Sequence, residues 1–343
     1  MVKEKNAAIE FYRVLFTFLI CVQHMQVYLG DIAWIRHAYL GVEFFFILSG
    51  YFLYKSYKKQ KEPSTTKYFV HRIKRLWPEY FVAALAAIFV FGVHRHNFSL
   101  GKAAAELLMF QNTGLYPGNY PYGGYNYPSW YVPVLLFCGA LIYSMLSLGE
   151  RVYKKLAAPL IIVCGYTLIW HMGCGLENWD SAYVLSITMI RGLCAMSIGV
   201  LLASVQENKT LSGMSKTTAT LLEAGSLALI IFGIFTNYSA DIVSIAAFAV
   251  LVFVTLEKKG LLTAFLCKQH FWSAIGKYCY SAYLNQAVMI LVMYRTISRL
   301  GITNPWLCVL IISIVIAAYA FFSSKVIWKV NALIHRKKEI PAK

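Results

Sequence analysis

Ten apolar runs separated by short polar connections limit the folds open to this chain more than any other feature. A helix of about 20 apolar residues spans the hydrocarbon core of a bilayer. The segment 102–112 is too short to span and is predicted to be an interfacial or re-entrant helix. We predict an all-α fold, a polytopic transmembrane helical bundle with about ten membrane spans, formed by a single membrane domain over residues 1–343. The runs cover residues 8–30, 38–56, 80–94, 129–148, 156–173, 182–205, 217–236, 240–256, 280–297 and 306–328.

The composition excludes an ordinary soluble domain. Hydrophobic residues make up 59% of the chain and charged residues only 14%, against about 25% charged in a typical soluble domain. The eight cysteines form no CxxC or other metal-binding spacing, so they are interpreted as small apolar residues. The sequence predicts no metal site.

Basic residues are concentrated in a few polar segments, which predicts the orientation of the chain in the membrane. The net charge is +17, and the basic residues cluster in segments 55–75, 151–155, 258–259 and 325–343. With ten spans, all four segments lie on the same side as the N-terminus, and the positive-inside rule makes that side cytoplasmic. We therefore expect both termini in the cytoplasm and the basic residues beside membrane lipid, with no nucleic-acid partner.

Arg13 and His24 are ionisable residues inside the first apolar run. Such residues are costly in a membrane and are functional candidates by default. Eleven positions separate them, which is about three helical turns and a rise of roughly 16 Å. Both side chains therefore share one stripe of the first helix. Arg13 could anchor an anionic ligand that enters from the cytosol, or its side chain could reach the lipid headgroups.

Glu43 lies near the start of the second apolar run and is predicted to lie at a depth similar to that of His24. The two runs form a hairpin centred near residues 33 and 34, and both residues are equally distant from that centre. An imidazole oriented by a carboxylate can act as a general base. The alternative is a buried pair that only fixes helix packing.

Three further groups of residues each allow a functional and a structural interpretation. Arg72, Lys74 and Arg75 could bind phosphates, but from the residues alone contact with anionic lipid is favoured. Arg191 and Glu223 lie within apolar runs, where each needs a partner or a water-filled cavity; they could pair with each other, and a structural role is favoured. The Tyr-rich connection 113–128 could stack on sugar rings or form an interfacial aromatic belt.

Beyond these patterns, the chain resembles the acyltransferase family 3 membrane O-acyltransferases over nearly its whole length. Four sequence elements carry the resemblance. They are Arg13 and His24 with ten residues between them, GVEFFFILSG at 41–50, Arg72-x-x-Arg75 before Leu76-Trp77-Pro78, and Tyr280-Ser281-Ala282-Tyr283-Leu284.

The resemblance implies about ten membrane helices, an acyl-CoA donor (commonly acetyl-CoA) and transfer to an acceptor hydroxyl, usually on a surface glycan. It implies that His24 is catalytic and that Arg13, Arg72 and Arg75 are essential, for binding the donor. The late motif departs from the family pattern, with Asn285-Gln286 where a His is common. Leu135 stands where the family's WSLxxE element has its Glu.

We therefore predict a plasma-membrane O-acyltransferase. In it, His24 is a general base or acyl carrier, Glu43 orients it, and Arg13, Arg72 and Arg75 hold the phosphates of acyl-CoA. The first alternative is a transporter or flippase of a glycan or lipid-linked intermediate, which also needs polar residues in its spans. The second is a membrane sensor or partner protein without catalytic activity.

Overall fold

The fold is a bundle of helices, as predicted. The computed structural model describes residues 6–30, 35–114, 124–173, 175–176, 181–182, 185–208, 213–236 and 241–338. Two strands of two residues each, Ser181–Ala182 and Leu185–Ser186, pair antiparallel between two of the helices. The helices are α1 Ala7–Leu29, α2 Gly41–Tyr57, α3 Thr65–Ala87, α4 Leu100–Leu107, α5 Tyr131–Val152, α6 Ala158–His171, α7 Ile187–Glu207, α8 Lys216–Phe235, α9 Asp241–Glu257, α10 Leu261–Cys267, α11 Phe271–Ile275, α12 Cys279–Arg299 and α13 Pro305–Lys338.

Within the part of the chain that the structure describes, six helical segments are long and apolar enough to cross a membrane. The polytopic membrane fold is therefore confirmed, but the predicted count of about ten spans is not. Part of the difference between six and ten arises because the single segment Tyr127–His171 covers two predicted runs, 129–148 and most of 156–173. The six segments are Ala7–Leu29, Thr65–Val93, Tyr127–His171, Ile187–Glu207, Lys216–Phe235 and Pro305–Ala332.

Local sequence signals account for both ends of α1. The Asn6 side chain accepts a hydrogen bond of 3.1 Å from the backbone N–H of Ala8 and so caps the first turn. Gly30 ends the helix with φ = +79°, a conformation that glycine adopts at little cost. These caps fix the length of the helix that carries both Arg13 and His24.

Helices α2 and α7 are in backbone contact at two glycines. A Cβ atom on Gly50 would collide with the Met196 carbonyl oxygen, and one on Gly199 would collide with the Ile47 carbonyl oxygen. Small residues allow membrane helices to approach this closely. The GVEFFFILSG segment therefore supplies the contact surface between two central helices.

The α5–α6 connection is a distorted continuous helix. Gly149 leaves the helical conformation, with φ = −178° and ψ = 89°. A π-helical segment, Tyr153–Ala157, follows and leads directly into α6. Glycines and π-helical segments are recognised causes of helix kinks. The kink between α5 and α6 lies at the basic segment 151–155.

The Tyr-rich connection 113–128 enters the bundle where the structure describes it. Its residues 115–123 lie outside the described part. Tyr125 and Asn126 are buried, and their backbone N–H groups donate hydrogen bonds of 2.6 and 3.0 Å to the carboxylate of Glu106 on α4. A short 3₁₀ helix, Tyr127–Trp130, follows. This end of the connection therefore contributes to the interior of the protein.

Candidate active site

His24 lies on α1 and is held by Gln286 of α12. The His24 Nδ1 and Gln286 Oε1 atoms are 3.0 Å apart. The Gln286 amide nitrogen donates to the Tyr283 carbonyl oxygen at 3.0 Å, so its carbonyl oxygen is the atom that faces the ring. That oxygen can only accept a hydrogen bond. The proton of the neutral imidazole therefore lies on Nδ1, and Nε2 keeps its lone pair.

Tyr127, in the 3₁₀ helix before α5, packs edge-on against the His24 ring. The two ring centroids are 5.2 Å apart and the ring planes are nearly perpendicular, at 87°. Two hydrogen bonds to α12 fix the position of this 3₁₀ helix. The Asn126 side-chain amide donates to the Leu284 carbonyl oxygen at 2.8 Å, and the Tyr283 hydroxyl donates to the Pro128 carbonyl oxygen. Helix α12 thus positions both the hydrogen-bond partner and the packing partner of His24.

Arg13 forms an ion pair with Glu10, one turn earlier on α1. The guanidinium nitrogen lies 2.8 and 3.1 Å from the two carboxylate oxygens of Glu10, and the Arg13 side chain is 25% exposed. Glu10 itself is buried, and a Cβ atom on Gly276 would collide with its carboxylate. The carboxylate therefore holds Arg13 in place inside the bundle.

Arg72 and Arg75 of α3 lie near Arg13. Arg75 is close enough to Arg13 and Arg72 for their positive charges to repel one another. The Arg72 guanidinium lies over the ring of Tyr68, 5.3 Å from its centroid. Arg75 thus lies within electrostatic range of both other arginines that the sequence predicted for donor binding. Close like charges are unfavourable without an anion between them.

Tyr131 links this cluster to the GVEFFFILSG segment. Its hydroxyl lies 3.3 Å from the Ser49 hydroxyl and within electrostatic range of both Arg13 and Arg72. It also follows the 3₁₀ helix that packs on His24. The arginine cluster and His24 are therefore connected through one short stretch of chain at the start of α5.

Glu43 is fully buried and pairs with Arg191 of α7. The Arg191 Nε donates to the Glu43 carboxylate, and the Tyr166 hydroxyl donates to it at 3.2 Å. The other guanidinium nitrogens of Arg191 donate to the carbonyl oxygens of Leu176 and Tyr39, at 2.9 and 2.8 Å. No described contact joins Glu43 to His24.

The pair between Arg191 and Glu223 that the sequence allowed is therefore not formed. Glu223 instead accepts hydrogen bonds from the backbone N–H groups of Leu262 and Thr263, at 3.0 and 2.9 Å, and from the Thr263 hydroxyl. It caps the first turn of α10, where a carboxylate satisfies free N–H groups. The pattern of apolar residues could not reveal these partners. Arg191 and Glu223 are buried whether they pair with each other or with other residues.

Two residues that contact the candidate site residues, Glu10 and Gln286, were not predicted, although each left a signal in the sequence. Glu10 lies three positions before Arg13, which is the spacing of a helical ion pair. Gln286 stands out in the sequence only as a departure from the family motif. Among the described residues, no group of three or more His, Cys, Asp or Glu side chains is placed to hold a metal ion.

Comparison with known proteins identifies the family. The model of acyltransferase family 3, described as "Acyltransferase domain", matches residues 6–323, which is nearly the whole chain. No curated protein and no solved structure gives a significant match. The matched region contains His24, the three clustered arginines and Gln286. The chain therefore belongs to acyltransferase family 3, a family of membrane acyltransferases.

Proposed function

We propose that this protein is an O-acyltransferase of the plasma membrane that moves an acyl group from acyl-CoA to a hydroxyl of a cell-surface glycan. An acetyl group from acetyl-CoA is the simplest case. The observation that carries the proposal is the hydrogen bond between His24 and Gln286, which leaves Nε2 unprotonated. Family membership supports acyl transfer as the reaction class.

His24 acts as the general base in this proposal. Nε2 removes the proton of the acceptor hydroxyl while that oxygen attacks the thioester carbonyl carbon. The new C–O bond forms, the C–S bond breaks, and the proton on Nε2 passes to the departing thiolate, so the ring returns to its starting state. Gln286 accepts the Nδ1 hydrogen throughout and stabilises the positive ring.

Arg13, Arg72 and Arg75 bind the phosphates of the donor. Guanidinium groups form bidentate hydrogen bonds to phosphate. Only one described ion pair, between Arg13 and Glu10, compensates the three arginines, which favours an anionic ligand. In CoA the extended pantetheine arm separates the phosphates from the sulfur. The rise of roughly 16 Å from Arg13 to His24 along α1 suits a ligand whose two functional ends lie far apart.

Glu43 has a supporting role in this proposal. We assign the orienting role to Gln286 instead of Glu43, because Gln286 contacts the His24 ring and the described hydrogen bonds of Glu43 are with Arg191 and Tyr166. A buried ion pair of this kind fixes the relative position of two helices. We infer that Glu43 holds α2 and α7 in register beside the site.

Thiol release from acetyl-CoA tests the proposed reaction. Purified protein should release CoA thiol in the presence of an acceptor glycan, and the same preparation of His24→Ala should not. Mass spectrometry of surface glycans from cells with and without the gene should show loss of an acyl increment. Glycan or lipid-linked glycan transport into vesicles without any thiol release would contradict the proposal and favour the transporter alternative.

A further inference from the structure

A cavity of about 800 Å³ lies at the kink between α5 and α6, against the end of α7. Cavities of this size can hold a small ligand or a lipid headgroup. Its lining contains one carboxylate and three basic side chains, which gives a net charge of +2. The lining residues are Glu150, Arg151, Lys154, Lys155, Leu201, Ser204, Val205 and Asn208.

The carboxylate in this cavity is already neutralised. Lys154 Nζ lies 2.6 Å from one oxygen of Glu150, and Lys58 Nζ lies 3.3 Å from the other. The Tyr54 hydroxyl donates to the same carboxylate at 2.7 Å. Glu207 at the end of α7 belongs to the same network, because it accepts from the Tyr54 hydroxyl at 2.8 Å and lies 3.9 Å from Lys58 Nζ. The two carboxylates are thus matched by two lysines, and Glu150 is not available to oppose an incoming anion.

The cavity contains two further cations, Arg151 and Lys155. Arg151 and Lys155 are exposed, and neither makes an ion pair or hydrogen bond with another residue in the described ranges. They lie four positions apart, on either side of the start of the π-helical segment, so both flank the same bend. Two uncompensated cations beside a cavity are a favourable environment for a phosphate group.

The surface beside the cavity is apolar and exposed. Leu148 is 89%, Val152 62% and Leu156 57% exposed, and all three lie on the same kinked stretch as the basic residues. In a membrane protein, side chains of this kind face the acyl chains of lipids. A ligand that matched both surfaces would have an anionic head and apolar tails.

We propose that this cavity, the α5–α6 cavity, binds the headgroup of an anionic phospholipid. Its phosphate contacts Arg151 and Lys155, and its acyl chains run along Leu148, Val152 and Leu156. Basic pockets between transmembrane helices commonly bind anionic headgroups. The site is separate from the proposed donor site, which uses arginines of α1 and α3, and it does not depend on the proposed reaction.

Native mass spectrometry of the full chain released from detergent micelles tests the lipid site. We expect phosphatidylglycerol to bind the wild-type protein more tightly than phosphatidylcholine. The double variant Arg151→Gln, Lys155→Gln should bind phosphatidylglycerol about 25-fold more weakly, because each basic residue near an anionic headgroup contributes roughly fivefold. Both residues are exposed, so the variant should retain the fold.

A matched control removes two charges elsewhere. Lys59 and Lys61 are exposed in the α2–α3 connection, and Lys59→Gln, Lys61→Gln should leave lipid binding unchanged. An equal loss in both double variants would show that the effect is general charge attraction and would overturn the proposal. Equal binding of the two lipids by the wild type would also overturn it. So would binding of free CoA that depends on Arg151 and Lys155.

Discussion

His24 and Gln286 are joined by a hydrogen bond of 3.0 Å between Nδ1 and Oε1, across the interface of α1 and α12. Because the Gln286 amide does not titrate, it holds the imidazole in one tautomer over the whole physiological pH range. The residue that departs from the family motif is thus the one that contacts the proposed base.

Substitution of His24 should remove catalysis and leave the fold intact. We expect His24→Ala to lower kcat by roughly 10² to 10⁴-fold, which is the usual contribution of a general base. Steady-state thiol release measured on detergent-purified protein checks this, with the thermal unfolding midpoint as the control for folding. A well-folded His24→Ala protein with normal kcat would exclude His24 as the base.

Gln286→Leu should lower kcat while the KM for the donor stays near the wild-type value. The Leu side chain cannot accept the Nδ1 hydrogen, so the ring can adopt the other tautomer and its protonated form is less stable. The matched control is Asn285→Leu, because the Asn285 amide donates within α12 to the Ser281 carbonyl oxygen. A similar loss of kcat in both variants would point to general damage of α12.

The arginine cluster should be sensitive to geometry as well as to charge. Arg72→Lys and Arg75→Lys should each raise the KM for acetyl-CoA, because lysine cannot form the bidentate contact. Lys74 lies between them, is exposed, and has no described ion pair, so Lys74→Gln is the matched control and should have no effect. Unchanged donor affinity in the double Arg→Lys variant would assign both arginines to contact with lipid.

The buried Glu43–Arg191 pair should contribute to stability more than to chemistry. Removing one partner of a buried ion pair typically costs 3–5 kcal/mol, so Glu43→Leu and Arg191→Leu should each lower the unfolding midpoint strongly. The double variant should be less destabilised than the sum of the two, because no unpaired charge remains. If folded Glu43→Gln protein has normal stability but no activity, Glu43 takes part directly in catalysis.

Glu106 should make stability depend on pH. Burial raises the pKa of this carboxyl to about 7, although hydrogen bonds from the backbone of Asn126 and Tyr125 oppose the rise. The native state therefore retains a proton that the unfolded chain, with a pKa near the ordinary value, has lost. Its contribution to stability is complete below about pH 4.5 and is lost as the pH rises through about 7.

The unfolding midpoint measured from pH 4.5 to 8 checks this contribution. The difference between wild type and Glu106→Gln should become less favourable to the wild type across that window, by about 3 kcal/mol in total. Lys102→Gln changes a neighbouring charge on the same helix and serves as a comparison. A pH-independent difference would show that Glu106 remains ionised in the native protein.

Much of the fold could be predicted because apolar length and charge position are local properties of the sequence. The helical class and the gathering of Arg13, Arg72 and Arg75 follow from such patterns and from the family motifs. The partners of Glu43 and Glu223 could not be predicted, because pairing in a bundle depends on which helices are neighbours. Hydropathy carries no information about which helices are neighbours.

The backbone contact between α2 and α7 restricts how the bundle can move. Gly50 and Gly199 leave no side-chain layer between the two helices, so rotation or sliding of one against the other would force carbonyl oxygens into the opposing backbone. We therefore expect the two helices to move together. Any opening of the bundle must then come from displacement of other helices relative to this pair.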